Sequence, residues 1–253
     1  MQIEPIEAFE DNYIWAIRHG GQVAVVDPGE AAPVWRFLEA TGDRLCAILV
    51  THRHGDHIGG IAELVAHYPV PVYGPAREAA EVVTHPLADG ARVTLPALGV
   101  YFMVLEVPGH TLGHIAFYSA GMLFCGDTLF GAGCGRVFDG TMAQMHASLA
   151  RLAELPPETR VYCAHEYTQS CLRFARTVEP DNAAIDARTA DVAKLRAAGQ
   201  PSVPSTLAEE LATNPFLRWH APGVIAAATA RLGHPPGSDA ETFSAIRLWR
   251  DNL

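Results

Sequence analysis

Thr51-His52-Arg53-His54-Gly55-Asp56-His57 sets three imidazoles and one carboxylate within six residues, His52 to His57. The run Leu45–Val50 before it is continuously apolar and reads as a buried strand. After it, Ile58, Ile61, Leu64 and Val65 have helical spacing. The stretch is therefore expected in a loop between a strand and a helix. In an extended chain, side chains two apart point the same way, so His52 and His54 can face one ion together. Gly55 permits a sharp turn, after which Asp56 and His57 can face a second. A lone histidine is ordinarily packed or solvated. The pattern H-x-H-x-D-H arises by chance in roughly one sequence per thousand of this composition. Imidazole with carboxylate suits zinc, iron or manganese, and no cysteine cluster competes.

The whole chain bounds the remaining possibilities. Its 253 residues suffice for one large domain, or for a domain with a smaller companion. Hydrophobic residues make up 49% and charged residues 18%, enough apolar content for a sizeable core. A formal charge of −10 argues against nucleic acid and anionic membrane as general partners. Lys194 is the one lysine among 18 basic residues, so a lysine nucleophile is not expected. The five cysteines are odd in number, form no C-x-x-C pair and suit a reducing compartment. Met1–Pro5 lacks the regions of a signal peptide, and no apolar run is long enough to span a bilayer. The expectation is a cytoplasmic monomer.

In chain order, Tyr13–Ile17 and Gln22–Val26 read as a hairpin around Arg18–Gly21. Asp27-Pro28-Gly29 reads as turn chemistry rather than a ligand position. Helices are predicted over 31–41 and 76–83, and strands over 70–73, 92–95, 100–107, 115–118 and 122–125. His and Asp recur at strand ends, at 52, 54, 57, 110 and 127, where a sheet presents its chemistry. Tyr162–His165 repeats the arrangement. After Tyr167 strand signals stop and five helical stretches follow. A boundary near residue 166 is expected, giving an α/β domain, 1–166, and a small helical domain, 167–253.

Thr51–His57, Gly109-His110, Gly126-Asp127 and His165 resemble the metallo-β-lactamase superfamily. Phe9–Trp15, Gly131–Arg136, His165–Thr168, Phe174–Pro180 and Asn214–Arg218 resemble the glyoxalase II (hydroxyacylglutathione hydrolase) family more specifically. That resemblance implies an αββα sandwich followed by a small all-α domain, and two divalent ions, zinc first, with iron or manganese as alternatives. It places His52, His54 and His110 on one ion and Asp56, His57 and His165 on the other. Asp127 would bridge them, which makes Asp56 and Asp127 the catalytic carboxylates. His114 is left as a core or supporting residue, and His19, His67, His85, His146 and His234 as surface residues. The implied activity is hydrolysis of S-(2-hydroxyacyl)glutathione thioesters such as S-lactoylglutathione, the second step of methylglyoxal detoxification.

The chemistry fits those residue types. Thioester hydrolysis needs hydroxide, which is scarce at neutral pH, and a Lewis-acidic ion lowers the pKa of bound water to about 7. The leaving thiolate has a conjugate acid of pKa near 8.5, so no strong general acid is required. An anionic substrate meeting a chain of charge −10 needs local positive charge. The resemblance assigns the glutathione tail to Arg136, Val137 and Phe138, to His165, Glu166 and Tyr167, and to Arg218, Trp219, His220 and Ala221. Arg136 stands where the family often has Lys, and Phe138 where some members have Tyr. A second basic residue soon after Arg218 is missing. The competing readings are a one-iron persulfide dioxygenase, a lactam or lactone hydrolase, and a metal-stabilised binding module.

Overall fold

The computed structural model describes residues 1–253. Two compact units separate, Met1–Glu106 with Thr111–Gly126, and Val107–His110 with Asp127–Leu253.

The first unit begins with β1 (Gln2–Ala8), β2 (Asn12–His19) and β3 (Gln22–Val26), joined antiparallel. Helix α1 (Ala31–Thr41) then crosses to β4 (Arg44–Leu49), which pairs parallel with β3. Gly42 ends α1 in a left-handed conformation and gives its N–H to the Leu38 carbonyl at 2.9 Å. The short α2 (Gly55–Ile58) and α3 (Ile61–His67) follow, then β5 (Val72–Pro75) and β6 (His85–Leu87). These strands form one mixed sheet in the order β1 to β6. Ile14, Ala16, Val23 and Val25 on one face pack with Val34, Leu38, Ile61 and Leu64 of α1 and α3. Trp15, Ile17, Ala24 and Val26, on the other face, are equally buried, so the central strands are covered on both sides. Strands β7 (Arg92–Leu95), β8 (Val100–Glu106), β9 (Ile115–Ser119) and β10 (Met122–Gly126) form an antiparallel ladder around Phe102, Phe117 and Phe124.

The second unit opens with the short hairpin β11 (Leu129–Phe130) and β12 (Gly133–Cys134), then α4 (Met142–Ala153) and β13 (Arg160–Cys163). Helices α5 (Thr168–Val178) and α6 (Ala183–Ala197) follow. The two-residue β14 (Ser205–Thr206) leads into α7 (Leu207–Thr213), α8 (Pro222–Leu232) and α9 (Asp239–Asp251). Thr141 with Gln144 and Thr206 with Glu209 form capping boxes at the starts of α4 and α7. Phe174 stacks on Phe216, and Phe216 meets Phe243 edge-on, which joins α5 and α9 through apolar area. Arg188 and Glu210 form a buried ion pair at 2.6 Å.

Most expected elements are present, and the departures have local causes. Residues 76–83 are turns rather than a helix. Ala79 lies at φ 59°, which no right-handed helix accommodates, and the Glu78 side chain is drawn inward instead of along a helical face. Helix α4 and strand β6 were not anticipated, although the Thr141 capping box and the spacing Met145, Leu149, Leu152 signal the helix. Strand β14 appears where strand signals had ended. Its two polar residues pair with Arg160 and Val161, so it carries no apolar alternation. The composition change near residue 166 marks where helices take over, whereas the compact units separate after Gly126. The reason is that the 129–135 loop is fastened to the helices: Ala132 N–H donates to Glu210 and Arg247 donates to the Cys134 carbonyl.

Arg188→Ala should cost about 3–5 kcal/mol of stability in urea denaturation, because it leaves the Glu210 carboxylate buried without its countercharge.

Candidate metal centre

In the first unit the loop after β4 is held from behind by Asp27. Its carboxylate accepts from the Thr51 N–H at 2.7 Å and the Thr51 hydroxyl at 2.6 Å. The same side chain engages His57 Nδ1 at 3.0 Å. Asp27 therefore does more than make the turn expected of it: at φ 54° it closes the Pro-Gly turn and also fixes a proposed ligand. With Nδ1 occupied, His57 presents Nε2, which lies 3.4 Å from Asp56 Oδ2. Asn12 Nδ2 donates to that Asp56 oxygen at 3.0 Å. His52 leans its Nδ1 on Thr51 Oγ1, and its Nε2 comes within 3.1 Å of His54 Nδ1. Two nitrogens on one tetrahedral zinc, each at about 2.0–2.1 Å, would stand about 3.4 Å apart. His52 and His57 are fully buried. His114 is also buried and stacks on His52 at 4.6 Å, a supporting position as expected. Gly126, at φ 48°, has no room for a Cβ, which would strike Thr51 Oγ1.

In the second unit Asp127 stands between two imidazoles. His110 Nε2 lies 3.3 Å from Oδ2, and His165 Nε2 lies 3.3 Å from Oδ1. His110 Nδ1 is taken by the Arg136 carbonyl at 2.7 Å, which again leaves Nε2 for a ligand role. All three side chains are buried. A carboxylate with one imidazole on each oxygen is the donor set a bridging ligand would present. Each unit thus holds a His/Asp cluster in which His52, His57 and His110 have their outer nitrogens engaged, and the donors fit divalent ions.

The second unit also contains a cavity of about 340 Å³ lined by Arg136, Tyr167, Phe174, Arg247, Arg250 and Cys134, among others. The Tyr167 ring stacks on His165 at 4.7 Å and 7°, which joins this cavity to the Asp127 cluster. Arg247 donates to the Cys134 carbonyl and to Asp251, while its Nε is buried with no hydrogen-bond partner. Arg250 lies over the Phe174 ring and has no carboxylate partner. Arg136 is exposed and 3.9 Å from Asp251. Phe138 is 60% exposed and meets His110 edge-on.

The other expected tail residues have partners within the second unit. Arg218 is clamped by Glu179, with Nε at 2.7 Å and Nη2 at 2.9 Å, and Nη1 donates to the Leu211 carbonyl. Trp219 is buried against His146, Ala221 is the N-cap of α8, and His220 is exposed. Glu166 accepts from the Ser202 N–H and hydroxyl and pairs with Arg196. Glu166, Arg218 and Trp219 thus each have partners within the second unit. Two further basic residues that line the cavity, Arg247 and Arg250, lie one turn apart on α9. Their signal was the Arg-x-x-Arg spacing in the tail, which sequence reasoning passed over. His146 is not a surface residue either: it is half-buried between Trp219 and Phe243, and burial lowers its pKa.

Burial pushes the Cys134 thiol up to about 11, outweighing the nearby Arg247. Near pH 8 its thiolate is then about a thousandth of the whole. Iodoacetamide should leave Cys134 unmodified in the folded protein and label it in urea, read by mass spectrometry.

Residues 9–165 match the family model of the metallo-beta-lactamase superfamily, and residues 166–253 match that of the hydroxyacylglutathione hydrolase C-terminus. Among curated relatives, a hydroxyacylglutathione hydrolase of Cupriavidus taiwanensis is 55% identical, covering 100% of this chain and 99% of its own. Among solved structures, ETHE1 from Myxococcus xanthus superposes with a TM-score of 0.69 at 24% identity, covering 100% of this chain and 92% of that one. TTHA1623 in a di-iron-bound form superposes with a TM-score of 0.55 at 33% identity, over 64% of this chain and 91% of that one. The fold is the metallo-beta-lactamase fold with a helical C-terminal part, and the chain belongs to the hydroxyacylglutathione hydrolase family of the metallo-beta-lactamase superfamily.

Proposed function

We propose that this chain hydrolyses S-(2-hydroxyacyl)glutathione thioesters, such as S-lactoylglutathione, to glutathione and a 2-hydroxy acid, as the second step of methylglyoxal detoxification. The observation that carries the substrate reading is the stacking of Tyr167, in the cationic cavity, on His165 of the Asp127 cluster. An anionic tail and a reacting centre are thereby held by one rigid segment.

His52, His54 and His110 would hold one ion and Asp56, His57 and His165 the other, with Asp127 bridging. Zinc is proposed first. Iron is the alternative suggested by the di-iron-bound neighbour, and manganese by the donor set. Bound divalent ions supply a nucleophile by acidifying water, and Lewis acidity toward the carbonyl oxygen. The protein's own part is to fix the ligands beforehand. Asp27 selects the His57 nitrogen, and the Arg136 carbonyl selects that of His110. The cavity arginines take the tail carboxylates, with the buried Arg247 Nε as a ready donor. The departing thiolate leaves without a side-chain acid.

On this reading residues 1–166 carry the hydrolytic chemistry and 167–253 most of the tail surface. No helix is long and apolar enough to cross a membrane. The five free thiols fit a reducing compartment, and we read the chain as a cytoplasmic monomer.

Protein purified without chelator should carry two ions per chain and hydrolyse S-lactoylglutathione, with metal and turnover measured on the same sample. Full activity with one ion, or oxygen uptake with glutathione persulfide instead of thioester hydrolysis, would defeat the reading. Arg250→Ala should raise KM about ten- to a hundredfold with kcat little changed, since it removes a charged contact made equally in ground and transition states. A tail-less thioester should not distinguish it from the wild type. Arg218→Ala should instead lower the melting temperature and affect both substrates alike, because Glu179 loses its partner.

A further inference from the structure

We propose that Glu78 is a positioning residue for the ion held by His52 and His54; this rests on the two-ion reading above. Glu78 lies in the turns that replace the expected helix, and its side chain is only 6% exposed. Oε1 accepts from the Arg53 N–H at 3.1 Å and the Thr111 hydroxyl at 2.7 Å. Oε2 accepts from the Gly113 N–H at 2.9 Å and lies 3.9 Å from Arg53 Nε. The carboxylate is flush against the chain there, since a Cβ on residue 113 would come within 2.7 Å of Oε2.

Those partners are the ones that aim the two histidines. Arg53 is the residue between His52 and His54, so its amide fixes the peptide joining them. Thr111 to Gly113 lead directly into His114, whose ring stacks on His52 at 4.6 Å and 16°. One buried carboxylate therefore ties down both chain segments that orient the His52 imidazole. It has donors on both oxygens, which offsets the cost of burying its charge.

The neighbouring pair of ligands does not depend on Glu78. Asp56 is held by Asn12, and His57 by Asp27, with no bond to Glu78. Loss of Glu78 should consequently loosen one ion and spare the other, where a general loss of stability would not discriminate between them.

The test is stepwise zinc affinity of the metal-stripped full chain, measured by competition with a chromophoric chelator, alongside melting of the stripped protein. Wild type, Glu78→Gln, Asn12→Ala and the double variant are compared. Glu78→Gln keeps the shape and one acceptor oxygen, and should weaken one of the two binding steps about tenfold or more. Asn12→Ala should weaken the other step, and the double variant both. Should Glu78→Gln fail to fold, Thr111→Val removes one bond to the same oxygen and should weaken the same step by less. Unchanged affinities in the Glu78 or Thr111 variant, or an equal fall in both steps, would overturn the proposal. A wild type that takes up one ion would instead defeat the two-ion reading. The role of Glu78 would then stand if its variant weakened that ion, and fall if it did not.

Discussion

The carboxylate of Asp27 receives the Thr51 amide, the Thr51 hydroxyl and the His57 ring, and the reactive loop of the first unit depends on those bonds. Leu49 ends β4, which is bonded into a sheet covered on both faces. At Thr51 the Ile115 N–H holds the carbonyl, and the amide and hydroxyl need a partner of their own. Asp27 supplies the partner from the end of β3, the strand beside β4, so the loop inherits the rigidity of the sheet. The cost is a non-glycine residue in the left-handed region, which aspartate tolerates better than most. The gain is that imidazole nitrogens are selected before any ion arrives.

The second unit solves a related problem with side chains from its helices. The tight loop between β11 and β12 cannot satisfy its own backbone. Glu210 takes the Ala132 N–H, and Asn214 donates to the Phe130 and Gly133 carbonyls. Arg188, Ser205 and Asn214 in turn surround Glu210. Phe130, held in this way, meets both His165 and Tyr167 edge-on. The helices thus set the position of a ligand and of the cavity wall together. Asn214 belongs to the Asn214–Arg218 motif that pointed to the family, and its function in the structure is this support.

Charge is arranged locally against the global balance. The chain carries −10, yet three arginines converge on one cavity and Asp251 engages two of them. Arg250 and the Nε of Arg247 remain unengaged by carboxylates, which suits a multiply anionic ligand. Such a site would draw an anionic ligand at short range.

The sequence by itself showed the His52–His57 cluster and the order of most elements, and the family resemblance extended that cluster to the seven proposed ligands. That information is local: ligand spacing of one or two residues, apolar runs and turn residues survive without knowledge of distant contacts. It did not show partners that lie far along the chain. Asp27 read as a turn residue because its partners lie 24 and 30 residues away. The Glu179 partner of Arg218, 39 residues earlier, is invisible in the motif. Arg247 and Arg250 carry no local mark of their cavity, because the Cys134 loop that helps line it is 113 residues away from Arg247. Glu78 read as part of a helix, since its spacing suited one. Only the folded chain showed that amides and a hydroxyl from two other loops outbid that helix for its carboxylate, because hydrogen bonding of a buried charge depends on which groups surround it in space.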